Sequence, residues 1–261
     1  TQLSVIAVGR FAQASQGSLD YDYMINIGID RLDGVSLSRF KGSTTKANRF
    51  YNFIESSVRF GPVLNNSYHV YDLSAITSTP FHTLHIDGTS QTLAAHNAAI
   101  NISSEIRVGG MTYANSSSNA LDGDVAEIVV YESSVNTTQR IIIENYLAAK
   151  YDLTISNDKY AHQANHGSEV AGIGQESAAD NHTDAQGSSI VRIKGANDLE
   201  DGEYMLWGHD EGGTGNDTSE TPAAYAATNG QRLIQEWRVD ISGGDNTVGT
   251  VNLTFDLTGI Y

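Results

Sequence analysis

LDGDVAEIVVYESSVNTTQRIIIENYLAAKYDLTIS, Leu121 to Ser156, joins one strand to one helix. The segment VAEIVVY, Val125–Tyr131, is apolar on both faces from Ile128 onward. That pattern predicts a strand covered by a sheet on one side and by the helix on the other. Asn136 stands where a helix cap belongs, and Gln139 follows three residues later, the spacing of a capping box. From Thr137 to about Lys150, Ile142, Ile143, Tyr146 and Leu147 fall on one stripe at helical spacing.

On either side of this segment the chain reads as short strands broken by turns. In YMINIGIDRLDGVSLSRF, Met24, Ile25, Ile27 and Ile29 precede Asp33-Gly34, and Val35, Leu37 and Phe40 follow it. Asp-Gly between alternating apolar residues predicts a hairpin, because a type I′ turn needs positive φ at both centres. The same grammar recurs around Asp87-Gly88 and in EIRVGGMTY. Evenly spaced short strands predict an all-β, antiparallel jelly-roll sandwich. After Tyr151 the composition turns to Asn, His, Ser, Ala and Asp, and strand-like pieces resume at SSIVRIKG, GEYMLWG, RLIQEWRVDI and TVGTVNLTFDL. A boundary near Leu153–Lys159 therefore separates a first module, 1–155, from a second, smaller β-sandwich, 156–261, with Trp207 and Trp237 suited to its core.

The 261 residues carry 31 Asp plus Glu against 15 Lys plus Arg, a formal charge of −16. Neutralising phosphates needs a basic footprint, so nucleic acid is excluded as a partner, and docking on anionic lipid is disfavoured on the same ground. Cysteine is absent, which excludes disulfides, zinc–thiolate sites and a cysteine nucleophile. No apolar run approaches the ~18 residues of a membrane span. Thr1–Phe11 reads as a strand under way rather than a signal peptide, and Val251, Leu253 and Phe255 alternate as in a strand at the other end. The expectation is a processed chain or the ordered part of something longer.

The Leu121–Ser156 segment closely resembles the last strand and trailing helix of LamG-like, concanavalin A-like jelly rolls of bacterial surface proteins. Gly123, Ala126, Glu127, Tyr131, Arg140, Glu144, Tyr146, Leu147, Lys150 and Tyr151 match that family's pattern, while Asp152 stands where it usually has glycine. VAGIGQE, SSIVRIKGANDLEDGEYMLWGHDEG, EWRVD and VGTVNLTFDL are similar to the uncharacterised β-domain that often follows such jelly rolls. The resemblance implies further strands before Thr1, missing here or supplied by another segment or another copy through strand addition. It implies a secreted or cell-surface, bacterial, non-catalytic module for adhesion or ligand recognition, with carbohydrate or a surface glycan favoured and calcium as a structural ion. The alternatives are a structural subunit of an extracellular filament or sheath, and a laminarinase-like glycoside hydrolase.

Particular residues attach to each reading. Asp122, Asp124 and Glu127 approximate the E-x-D-x-x-E signature of laminarinase-type hydrolases, whose chemistry needs paired carboxylates flanking the sugar; Asp122-Gly123 is more simply the turn into the strand. Calcium wants six to eight oxygens. The loop Gly208–Asp217, with Asp210, Glu211 and Asp217, offers carboxylates beside flexible glycines, and Asp20 and Asp22 form a weaker second group. Sugars need flat aromatics beside hydrogen-bonding side chains, and Asn48, Arg49, Tyr51, Tyr113 and Asn115 have that composition. Every second aromatic of a half-buried strand is, however, simply core.

Overall fold

The computed structural model describes residues 2–12, 21–30, 33–41, 48–54, 57–75, 82–93, 105–111, 119–211, 216–217, 232–256 and 258. The chain is mostly β, with antiparallel sheets in sandwich-like arrangements, and forms two compact units, Thr1–Val135 and Asn136–Tyr261. The division falls ahead of the helix, whereas the change in composition places it after Ile155. The reason is packing: Ile141 and Ile142 of the helix are buried against Tyr160, Val170, Tyr204 and Leu206 of the second unit.

The first unit contains β1 (Leu3–Phe11), β2 (Tyr21–Asp30), β3 (Asp33–Phe40), β4 (Arg49–Ile54), β5 (Ser57–Val63), β6 (His69–Ala75), β7 (His82–Ile86), β8 (Thr89–Gln91), β9 (Ile106–Val108) and β10 (Gly123–Tyr131). Among the described residues they make two five-stranded sheets, in the orders β10-β1-β6-β7-β8 and β5-β4-β3-β2-β9. One core joins both sheets: Val5 and Phe11 from β1, Leu73 from β6, Ile27 from β2, Leu37 from β3 and Phe50 from β4. In β10 the register jumps, with Val8 opposite Glu127 but Gly9 opposite Val125. Ala126 is therefore the extra residue of a β-bulge, and Val125 and Ile128, three apart, both pack on the core.

The hairpin expected at Asp87-Gly88 is present: φ is 49° and 75° at the two residues, and Ile86 faces Thr89 across the turn. Asp87 reinforces it, its carboxylate accepting the Val70 N–H at 2.9 Å and meeting His69 Nδ1 at 2.5 Å. At Asp33-Gly34 the expectation is corrected. Asp30 pairs with Asp33, so the connection is 31–32, outside the described residues, and Asp33-Gly34 opens β3. A register irregularity between Ile27 and Asp30 shifts the turn away from the Asp-Gly pair.

The second unit runs α1 (Thr137–Tyr151), α2 (Gln163–His166), β11 (Ser168–Ser177), β12 (Asp180–His182), β13 (Asp184–Gly187), β14 (Val191–Lys194), β15 (Glu203–His209), β16 (Asn216–Asp217), β17 (Arg232–Leu233), β18 (Trp237–Ser242) and β19 (Asn252–Phe255). Its larger sheets have the orders β12-β11-β15-β18 and β13-β14-β19. β15 is buried along its whole length, because one face meets α1 through Tyr204 and Leu206. Its other face, Met205 and Trp207, meets Val191 and Ile193 of β14. No helix among the described residues is long and apolar enough to cross a membrane.

The α1 N-terminus forms as expected, with Gln139 N–H donating to Asn136 Oδ1 at 2.7 Å and Asn136 N–H donating to Gln139 Oε1 at 3.1 Å. The sequence does not announce a second cap. Asp180, just beyond β11, accepts the Thr137 and Thr138 N–H groups at 3.1 and 2.9 Å, so donors orphaned at a helix start find a carboxylate. Burial opposes ionisation of Asp180, yet the Thr138 and Thr137 donors outweigh it and hold its carboxyl below the ordinary 3.8. Asp180→Ala is expected to cost about 1 kcal/mol in urea unfolding. Because the folded pKa is depressed, this contribution is full above the unfolded value and fades as pH falls through the folded one. The wild-type advantage over Asp180→Ala should therefore shrink in unfolding curves taken below about pH 4. At the other end, Asp152 takes the left-handed conformation, φ 51° and ψ 49°, the conformation that favours glycine just past a helix.

Candidate functional site

The pairing registers of the second unit leave its interior open along one side. Across β15–β18, Trp207 faces Val239 and His209 faces Trp237. Directly paired residues of antiparallel strands share a face, so Trp237 and Val239 point inward. Across β14–β19, Ile193 faces Leu253 and Val191 faces Phe255, and these also point inward. Yet Val239, Leu253 and Phe255 are 45%, 52% and 50% exposed. β18 and β19 end their sheets among the described residues, and between them runs a groove of about 500 Å³, within the range of small-molecule sites.

Its chemistry is an aromatic wall with a few polar atoms. Trp237 and Phe255 meet edge to face, centroids 6.3 Å apart and planes at 77°, the arrangement the ring quadrupoles favour. Met205, Trp207, Gln235 and the charged Glu236 and Arg238 also line it. Three buried polar atoms of these residues have no hydrogen-bond partner among the described residues: Trp207 Nε1, Trp237 Nε1 and Gln235 Oε1. Such groups are normally satisfied, since a buried orphan costs roughly 1–3 kcal/mol. Aromatic faces beside the polar side chains of Gln235, Glu236 and Arg238 suit a ligand that is apolar on its faces and hydroxylated at its rim. The sequence marks Trp237 only as a core residue; its half-exposure follows from the strand order, which no local pattern reveals.

The residues singled out from the sequence are distributed otherwise. Asp122 lies at an exposed bend before β10, its N–H donating to Asp22 Oδ1 at 3.2 Å. Asp124 pairs with Arg10 at 2.5 Å, which raises the Arg10 guanidinium above its ordinary value through hydrogen bonding and charge. Glu127 faces Val8 across β1. Asn48 holds φ 56° at the turn into β4, and Arg49 Nη1 donates to Gly61 O at 3.0 Å. Tyr51 is buried with Tyr23, Phe40 and Met111, leaving no open ring face. Tyr113 and Asn115 lie outside the described residues.

Asp210 brackets the start of β18, its Oδ1 accepting the Glu236 N–H at 3.0 Å while its own N–H donates to Glu236 O at 3.1 Å. Glu211 is exposed, and Asp217 pairs with Arg232 through the backbone of β16 and β17. Among the described residues no three His, Cys, Asp or Glu side chains gather as a metal site. Asp20 lies outside the described residues. Asp22 is corrected as a calcium ligand: it is fully buried and already paired with two cations, Arg39 Nε at 2.9 Å and Lys41 Nζ at 2.8 Å.

No family model matches the chain, and no curated protein sequence matches it. Among solved structures, Trypanosoma rangeli sialidase is similar over 52% of this chain at 13% identity and TM-score 0.37. The same sialidase in complex with the inhibitor DANA gives 12% and 0.38 over 52% of this chain. The chain spans 21% of those sialidase chains. Domains LG4-5 of the mouse laminin alpha1 chain are similar at 12% identity and TM-score 0.32, over 97% of this chain and 74% of that one.

Proposed function

We propose that the chain is a non-catalytic, extracellular ligand-recognition module of LamG-like type, and that its second unit takes a carbohydrate in the groove between β18 and β19. The observation that carries this is the groove itself, where the Trp237 and Phe255 rings stand beside the polar side chains of Gln235, Glu236 and Arg238. A pyranose ring offers C–H faces to the aromatics and hydroxyls to the polar side chains of Gln235, Glu236 and Arg238, meeting both at once. The non-catalytic part is supported by Asp124, whose carboxylate is occupied by Arg10.

The test is glycan-array binding by the whole chain, with calcium and then with EDTA, repeated on Trp237→Ala. Binding to a defined sugar class is expected. Losing the indole removes apolar contact of about 1.5–3 kcal/mol, tenfold or more in affinity. Silence of a folded wild-type chain under both conditions, or binding indifferent to Trp237→Ala, sinks the groove assignment. Sugar released from laminarin or agarose would favour the hydrolase reading instead.

A second reading, a filament or sheath subunit built by strand addition, draws on the same edges. Among the described residues β18 and β19 are each paired on one side, the situation in which an added strand extends a sheet. Concentration-dependent polymers in sedimentation, together with a silent glycan array, would favour it.

A further inference from the structure

Away from the groove, two tight turns of the second unit lie against each other. One is Glu200–Glu203, leading into β15, where Glu200 N–H donates to Glu203 Oε2 at 3.1 Å and Glu203 N–H donates to Glu200 O at 3.1 Å. The other is Gly243–Asn246, leaving β18, where Gly243, Gly244 and Asn246 hold φ of 83°, 51° and 62°. The turns approach so closely that a Cβ on Gly243 would stand 2.2 Å from Gly202 O. A Cβ on Gly244 would stand 3.2 Å from both Glu200 Oε2 and Glu203 Oε1. Two carboxylates therefore converge over a backbone stripped of side chains.

Glu203 is 0% exposed, and its Oε1, the oxygen aimed at Gly244, has no hydrogen-bond partner among the described residues. Neither carboxylate has a cationic partner among the described residues. From Lys194 to Arg232 the chain carries eight acids with no Lys or Arg between. A buried carboxylate beside a second one is disfavoured unless a proton neutralises it or a counter-charge enters.

We propose that Glu200 and Glu203 hold a calcium ion at this double turn. Calcium fits because it is a hard cation that accepts carboxylate oxygens together with backbone carbonyls and water in flexible geometry. Two side-chain ligands suffice when main-chain oxygens and water complete the shell. The glycines at 243 and 244 are then required on both counts, for positive φ and for the absence of side chains where the ion's ligands meet. The site is distinct from Asp210, Glu211 and Asp217, and it does not depend on what occupies the groove.

Isothermal titration of the metal-free whole chain with calcium chloride tests this. Saturable binding is expected with a dissociation constant on the order of 10⁻⁴–10⁻³ M, the range of extracellular modules. Glu203→Gln should abolish the heat, and Glu200→Gln, a change at an exposed side chain that leaves the core untouched, should weaken it about tenfold or more. Far-UV circular dichroism identifies a Glu203→Gln chain that has failed to fold, in which case Glu200→Gln decides alone. Absence of calcium heat in the wild type, or equal heat in wild type and Glu200→Gln, overturns the proposal.

Discussion

Asp22→Ala is expected to destabilise the first unit by about 3–5 kcal/mol, a large share of the ~5–15 kcal/mol that holds a domain folded. Arg39 is 1% exposed and Asp22 is 0% exposed. The guanidinium reaches Asp22 through both Nε and Nη2, and Nη1 donates to Ala12 O. Its Cζ lies 5.3 Å from the Phe11 ring centroid. Removing the carboxylate leaves a buried cation facing core aromatics, with only a carbonyl for company. Lys41, 16% exposed, can swing its ammonium to water; Arg39 cannot. The loss should appear as an earlier far-UV circular dichroism transition in urea. Pairing Asp22→Leu with Arg39→Met should recover much of it, because an apolar pair of similar volume avoids desolvating two charges. A cost below about 1 kcal/mol for Asp22→Ala would mean that water reaches Arg39 and that the pair is not structurally required.

Trp207→Ala is expected to cost the second unit about 3–5 kcal/mol. Trp207 is 0% exposed and sits between Ala171 of β11 and Val239 of β18 in the sheet register. On its inner side it packs with Ile173, Val191, Ile193 and Val248. Truncation removes the apolar contact and leaves a void that the flanking strands cannot close without breaking their ladders. The chain has two tryptophans, Trp207 and Trp237, both in the second unit, so in this variant Trp237 fluorescence alone follows that unit's unfolding. A midpoint close to wild type would show that the sandwich behind β15 is loosely packed. Since Trp207 also lines the groove, glycan affinity should fall with it. Trp237→Ala, at a half-buried ring, should lose the affinity while sparing most of the stability.

The local chemistry of this protein is legible in its residues. The Asn136 cap, the Gln139 return bond and the Asp87-Gly88 turn each depend on atoms a few positions apart, and each forms as its spacing predicts. So does the alternation that separates Phe50, in the sandwich core, from Tyr51, in the aromatic cluster on the sheet's other face. The antiparallel β class follows from the same periodicity, since strand faces repeat every two residues whatever lies across the sheet.

What only the tertiary structure decided are pairings between distant segments. Asp22 and Tyr51 read as ligand-binding residues because acids and aromatics usually are when exposed; Arg39 and the cluster of Tyr23, Phe40 and Met111 bury them instead. Asp180 becomes a helix cap because a hairpin brings it to Thr137. Among the described residues, Trp237 becomes a groove wall because β18 and β19 end their sheets, and Glu203 meets no counter-charge because the turn it faces carries glycines. Periodicity states which face a side chain takes; strand order and register state what that face meets. Those depend on contacts far apart in sequence, whose free energies no single stretch of the chain contains.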